Sequence, residues 1–152
     1  MIIKVIGAFL AIFTFAILLE TPKKYLWCAG VVGALGWLSY LISGNAGLSE
    51  IMSSFISAFT ISLVSHIFAR IFKVPVIVFL IPGILPTVPG AGMYRIVYYI
   101  LEGNKAMTSH YLVSTLETAG AIAIAIFIVD SAFRLFWREK REKKIAQNEK
   151  IV

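Results

Sequence analysis

Long apolar runs divide the 152-residue chain, with short polar breaks between them. Ile2–Leu19 ends at Glu20–Lys24 (ETPKK), where a proline and two lysines stop an apolar helix. Tyr25–Ile42 closes at the polar, glycine-containing Ser43–Glu50 (SGNAGLSE), and Ile51–Phe72 ends beside Arg70 and Lys73. Val74–Leu101 follows, then Tyr111–Trp137. A hydrocarbon core about 30 Å thick takes roughly 20 helical residues to cross, so each run predicts a transmembrane helix. The first reads as a span and not a secretory signal, because only Lys4 supplies a basic n-region and no small-residue cleavage pattern follows. The expected fold is an all-α integral membrane protein of five transmembrane helices, the fourth broken by a Pro/Gly segment. The expected spans, 2–19, 25–42, 51–72, 74–101 and 111–137, form one membrane domain over residues 1–137.

Composition agrees with a bilayer environment. With 59% hydrophobic and 14% charged residues and a mean hydropathy of +0.88, the chain has too little polar surface for a water-soluble domain. A formal net charge of +6 suits a nucleic-acid partner only if it is spread over the fold, yet six of the 14 Lys and Arg fall within Arg138–Lys150. That charge belongs to a basic juxtamembrane tail, residues 138–152, and not to a nucleic-acid surface. Lys and Arg in the short connections set the expected orientation. With the N-terminus outside and the tail in the cytoplasm, Pro22–Lys24 and the Arg70/Lys73 turn lie inside, and only Lys4 and Lys105 oppose the rule. A re-entrant proline segment, leaving four spans, puts Pro22–Lys24 outside and fits less well. The lone Cys28 cannot form an internal disulfide or a multi-thiolate metal site and reads as a packing residue.

The fourth run carries the chemistry. Pro82, Pro86 and Pro89 each lack an amide donor and restrict the preceding residue, so a regular helix is not expected from about Ile81 to Pro89. Irregular backbone at membrane depth is tolerated where protein buries it or water reaches it. The second half-helix starts near Gly90 and Gly92, its positive dipole end turned toward the gap, which suits a carboxylate or phosphate. Arg95, about one turn further on, adds a charge that is costly in lipid and needs a partner or water. A proline-kinked packing helix is the equally weighted alternative.

The segment Val74–Tyr94 (VPVIVFLIPGILPTVPGAGMY) resembles the signature of the membrane domain of bacterial threonine/serine exporters, in the small-subunit half that also occurs as a separate protein. Pro75, Pro82, Gly83, Pro86, Pro89, Gly90 and Tyr94 carry that pattern. Leu26–Ile42 (LWCAGVVGALGWLSYLI), with Gly30, Gly33, Gly36, Trp37 and Tyr40, is similar to the family's second helix. The resemblance covers nearly the whole chain. It implies a secondary transporter subunit in the bacterial inner membrane that exports small amino acids or related carboxylates. It also implies a larger partner subunit, because full-length exporters carry a further domain that this sequence lacks. The candidate substrate-binding residues are Gly83, Gly90, Gly92, Tyr94, Arg95 and Glu117. The roles of Arg95 and Glu117 rest on physical argument alone.

Helical wheels place the remaining polar residues. Ser53, Ser54, Ser57, Thr60 and Ser65 share an arc of roughly 140° on the third helix, with Ser62 and His66 outside it. Interhelical hydrogen bonding is the favoured reading of that face, a substrate path the other. His110, Ser114, Glu117, Thr118, Ala121 and Ala125 share about 100° of the fifth helix. Glu117 and Arg95 are expected at similar depth, facing each other beside Gly90, while Asp130 is expected to pair with Arg134 one turn on. His66 reads as an interfacial or packing residue, with no second histidine or cysteine near it to complete a metal site. Gly30, Gly33 and Ala34 form a small-residue surface, expected with the hydroxyl face of the third helix to contact a partner subunit or a second copy. No Gly-x-Ser-x-Gly, no His-Glu-x-x-His and no second cysteine occurs, so the chain does not read as an enzyme, and no metal or cofactor is expected. A scaffolding subunit that assembles a partner transporter without binding substrate is the alternative function.

Overall fold

The computed structural model describes residues 1–149, with side chains for residues 1–135 and 137. The described residues form helices α1 (Ile2–Leu18), α2 (Leu26–Asn45), α3 (Glu50–Phe72), α4 (Ile77–Ile84), α5 (Gly90–Leu101) and α6 (Lys105–Glu149). Single 3-10 turns stand at Lys23–Tyr25 and Leu85–Thr87. Lys23–Asn45, Glu50–Phe72 and Lys105–Leu135 are each long and apolar enough to cross a membrane. The pair Ile77–Thr87 and Gly90–Leu101, bent by 52°, passes the same test together, and α1 is a shorter apolar helix. The chain is a multi-pass membrane protein. The α6 backbone runs on to Glu149, whereas the side chains of the basic tail from Arg138 onward, and residues 150–152, lie outside the described residues.

Residue pairings fix the direction of each helix. α1 and α2 pack on each other with only residues 19–25 between them, too short a connection to return along a helix, so they are antiparallel. Between α3 and the broken helix, Ser57 meets Thr87, Ile61 meets Gly83 and Phe68 meets Phe79, again antiparallel. Arg95 meets Tyr111 and Gly92 meets Thr115, so α5 and α6 are antiparallel. Along the α3–α6 seam, Ala58 packs with Ile122 and Ala125, His66 with Asp130, and Arg70 with Phe133 and Trp137. These two helices are parallel. A re-entrant proline segment would return the chain to the face it entered from and make α6 antiparallel to α3. The parallel seam therefore means that α4 and α5 together pass from one end of the bundle to the other.

Helices in lipid gain little from the hydrophobic effect, so close packing decides which faces meet. On α2 a Cβ at Gly30 would lie 2.7 Å from the Phe9 ring, one at Gly33 would enter Ile12, and one at Gly36 would enter Ile61. Gly83 on α4 meets Val32 in the same way, at 2.7 Å. This corrects the expected partner surface. The glycine face of α2 is consumed by α1 and α3 of the same chain, and the hydroxyl face of α3 is largely internal too, with Ser53, Ser54, Ser57 and Ser65 buried and Thr60 half-buried. At the end of the bundle holding the α1–α2 connection, the Phe79 ring is closed off from solvent. It packs edge-on against Tyr25 and Phe68 and tilted on Phe72, at centroid distances of 5.7 to 6.0 Å.

The break is also shorter than the prolines predict. α4 continues through Pro82 to Ile84, because a proline six residues into a short helix removes a single i to i−4 hydrogen bond. Pro86 falls at the start of the 3-10 turn, where its missing N–H costs little, and Pro89 serves as the N-cap of α5. Only Val88 and Pro89 are left outside a helix between Ile77 and Leu101.

Candidate functional site

The bend at Val88–Pro89 opens a cavity of about 260 Å³. Its walls come from the C-terminal half of α2 (Trp37, Tyr40), the start of α3 (Glu50, Ser54), the break itself, α5 through Gly90, Gly92 and Arg95, and α6 through Tyr111, Ser114, Thr115 and Thr118. Thr87 is fixed in the wall by its hydroxyl, 3.2 Å from Ser57 Oγ.

The first turn of α5 has no side-chain cap. The Gly90 amide donates to the Val88 carbonyl at 2.7 Å, and the Met93 amide to the Pro89 carbonyl at 3.1 Å. Among the described residues that leaves the Ala91 and Gly92 amides as the unpaired donors of the turn, at the positive end of the helix dipole. Gly92 has a second reason to be glycine. A Cβ there would run into Thr115 Oγ1, so its absence brings α5 against α6.

Arg95 reaches the cavity from the next turn. Its guanidinium lies 5.1 Å from the centre of the Tyr111 ring, with Nη1 3.5 Å from the Tyr111 hydroxyl, and Tyr99 stacks on Tyr111 at 5.4 Å. A cation held against an aromatic face keeps its charge and its free N–H groups. The cavity thus combines one guanidinium and two amides with one carboxylate, Glu50, and the hydroxyls of Ser54, Thr87, Ser114, Thr115 and Thr118. Both signs of charge on one hydroxyl-lined wall suit a small zwitterion.

The family model described as "Threonine/Serine exporter, ThrE" matches residues 4–132. The chain belongs to the threonine/serine exporter family. Membership makes it a component of amino-acid export transport and not an enzyme. No curated protein and no solved structure matches it.

Within this exporter chain the predicted residues divide. Gly90, Gly92, Arg95, Pro86 and Pro89 all line the cavity. Pro82 and Gly83 are buried about one turn before it, packed inside the bundle. Tyr94 is 70% exposed on the outer side of α5, stacked on Tyr98 at 6.4 Å. Glu117 is exposed, lies outside the cavity lining and makes no ion pair among the described residues, so the expected Arg95–Glu117 pair is absent and Tyr111 takes its place. The cause is rotational. α6 buries a stripe through Thr115, Thr118, Ile122, Ala125 and Val129, and at 100° per residue Glu117 is roughly 120° away from its centre.

The residues missed by sequence reasoning are Glu50, Tyr111 and Thr115. Glu50 carried a signal: it follows Ser49, whose hydroxyl caps α3 by accepting from the Met52 amide at 3.3 Å, so it marks a helix start rather than loop. The expected Asp130–Arg134 pair is present at 2.7 Å. His66 joins it, 3.5 Å from the other carboxylate oxygen.

Proposed function

We propose that this chain is a five-crossing membrane subunit of a threonine/serine-exporter-like secondary transporter, and that the cavity at the broken helix holds the substrate. The carrying observation is the convergence of Arg95, the open amides of Ala91 and Gly92, and Glu50 on a single hydroxyl-lined space. Arg95 and the amides receive the carboxylate, Glu50 receives the ammonium group, and the ring of Ser and Thr hydroxyls receives a hydroxylated side chain. A related dicarboxylate would have to bring its second charge toward Glu50 and is the poorer fit.

The alternating helix directions support five crossings, with α1 as the fifth. Charge in the connections supports an outside N-terminus and cytoplasmic tail in a bacterial inner membrane. The cavity then lies in the outer half of the membrane, near the connections at 46–49 and 102–104. Five helices enclose too little path for transport alone, so we assign the chain to an assembly with a larger subunit of the same family. With the α2 and α3 faces used internally, we take α5, none of whose residues is buried, as the candidate surface for that contact.

The test is direct binding to the full chain in lipid nanodiscs. Trp37 lines the cavity, and a protein carrying Trp27→Phe and Trp137→Phe reports through it alone. Threonine or serine is expected to change its fluorescence saturably, and Arg95→Gln to abolish the change. A signal indifferent to every small amino acid and dicarboxylate, with the larger subunit present as well as absent, would return the chain to the scaffolding role.

A further inference from the structure

The end of the α3–α6 seam away from the cavity holds a second polar cluster. His66 is 5% exposed. Its Nε2 lies 3.5 Å from Asp130 Oδ1, and its ring stacks on Phe133 with centroids 4.6 Å apart. The other Asp130 oxygen accepts from Arg134 Nε at 2.7 Å. The Arg70 guanidinium lies over the Phe133 and Trp137 rings, 4.9 and 4.2 Å from their centres. On the buried side, His66 Nδ1 and the hydroxyls of Ser62 and Ser65 have no hydrogen-bond partner among the described residues. Ser62 is one turn before His66.

The other elements packed on α3 add no charge here. α4 has no titratable side chain. From the α2 side, Tyr25 and Cys28 reach this end, packed with the aromatic core around Phe72 and Phe79. The groups that face His66 are therefore Asp130, Arg134 and Arg70.

A neutral imidazole beside a carboxylate keeps its proton on the nitrogen that faces it, here Nε2, and leaves Nδ1 as a bare acceptor. A buried acceptor with nothing to accept is costly and rare in folded proteins. Ionisable groups inside a membrane bundle are costly too, and where they persist they mark ion or proton paths. We propose that His66 Nδ1 is a proton-binding site, with Asp130 as its counter-charge, and that loading it loosens the α3–α6 seam.

A proton from solvent adds to the Nδ1 lone pair and no other bond changes. The imidazolium keeps Asp130 on Nε2 and gains a donor on Nδ1, and three cations, His66, Arg70 and Arg134, then share one carboxylate. Hydration relieves that excess charge, and water enters only where Phe133 and the Ser62–Ser65 side of α3 separate. The neutral site is the sealed one. The proton site stands on its own geometry, and only its use in driving export rests on the exporter reading.

Neither test needs flux or substrate. His110→Gln leaves His66 as the sole histidine, and ¹⁵N NMR of the full chain in nanodiscs reads its protonation directly with the cluster intact. The Nε2-protonated neutral form is expected to convert to imidazolium on acidification, and Asp130→Asn is expected to displace that titration. In a Cys28→Ser background, Ser62→Cys is expected to react several-fold faster with a water-soluble thiol reagent on acidification than the same protein carrying His66→Gln at the same pH. A His66 signal that stays neutral throughout, a titration unmoved by Asp130→Asn, or Ser62→Cys labelling that follows the His66→Gln control at every pH would each overturn the proposal.

Discussion

Ser57 Oγ on α3 and Thr87 Oγ1 in the broken helix lie 3.2 Å apart, and the Ser57 hydroxyl also donates to the Gly36 carbonyl of α2 at 2.8 Å. A serine has one proton to give. With that proton on Gly36, the Thr87 hydroxyl donates to Ser57, and α2, α3 and the break are joined at a single buried point. Thr87 forms part of the cavity wall, so this junction carries packing in the bundle over to the geometry of the site.

Ser57→Ala should therefore loosen both contacts at once. The expected loss is about 0.6 to 2 kcal/mol, the range for hydroxyl bonds between membrane helices, read as a lower unfolding midpoint in detergent. Thr87→Val should cost less, and the double variant less than the sum, because the two substitutions remove the same bond. Strict additivity would show that the hydroxyls do not interact.

Glycine substitutions should sort by what a new Cβ meets. Gly36→Val drives into Ile61 and Gly33→Val into Ile12, whereas a Cβ at Gly44 has no neighbour within 4 Å. Gly33→Val and Gly36→Val are expected to abolish the folded, monodisperse protein, and Gly44→Ala to leave its yield and melting unchanged. Equal behaviour of all three would contradict the packing described.

Glu50 and Glu117 should behave differently. Glu50→Gln is expected to weaken the Trp37 response to threonine by tenfold or more, about 1.4 kcal/mol for a lost charge-assisted contact. Glu117→Gln should leave it within about twofold, and the exchange Arg95→Glu with Glu117→Arg should not restore binding, since the two side chains do not meet. Recovery by that exchange would reinstate the pair.

Orientation is tested at the connection between α5 and α6. In a Cys28→Ser background, Asn104→Cys should react with an impermeant reagent on intact cells. Reaction only after the cells are opened would reverse the assigned topology and put the cavity on the cytoplasmic side.

Assembly is tested by reconstitution. The chain alone in vesicles is expected to move no amino acid, and co-reconstitution with the larger family half to produce flux that Arg95→Gln removes. Full flux from a demonstrated monomer would end the two-subunit reading.

The sequence by itself determined the helices, the membrane and the location of the break. Those follow from local chemistry: unbroken apolar runs of membrane length, prolines without donors and lysines at helix ends. The proline–glycine pattern also located the cavity, because Gly90, Gly92 and Arg95 lie within two turns of the break on one helix. Which faces meet was another matter. On a soluble helix the polar side marks the outside, but in lipid the outside is apolar as well, so the pattern of α6 could not reveal that Thr115 and Thr118 face inward while Glu117 does not. The same ambiguity hid the use of the α2 glycines by α1 and α3. Only the tertiary structure packed α6 against both α5 and α3, and so brought Tyr111 to Arg95 at one end of the bundle and Asp130 to His66 at the other. Both pairs join residues from different helices, and contacts of that kind leave no periodic trace in either helix alone.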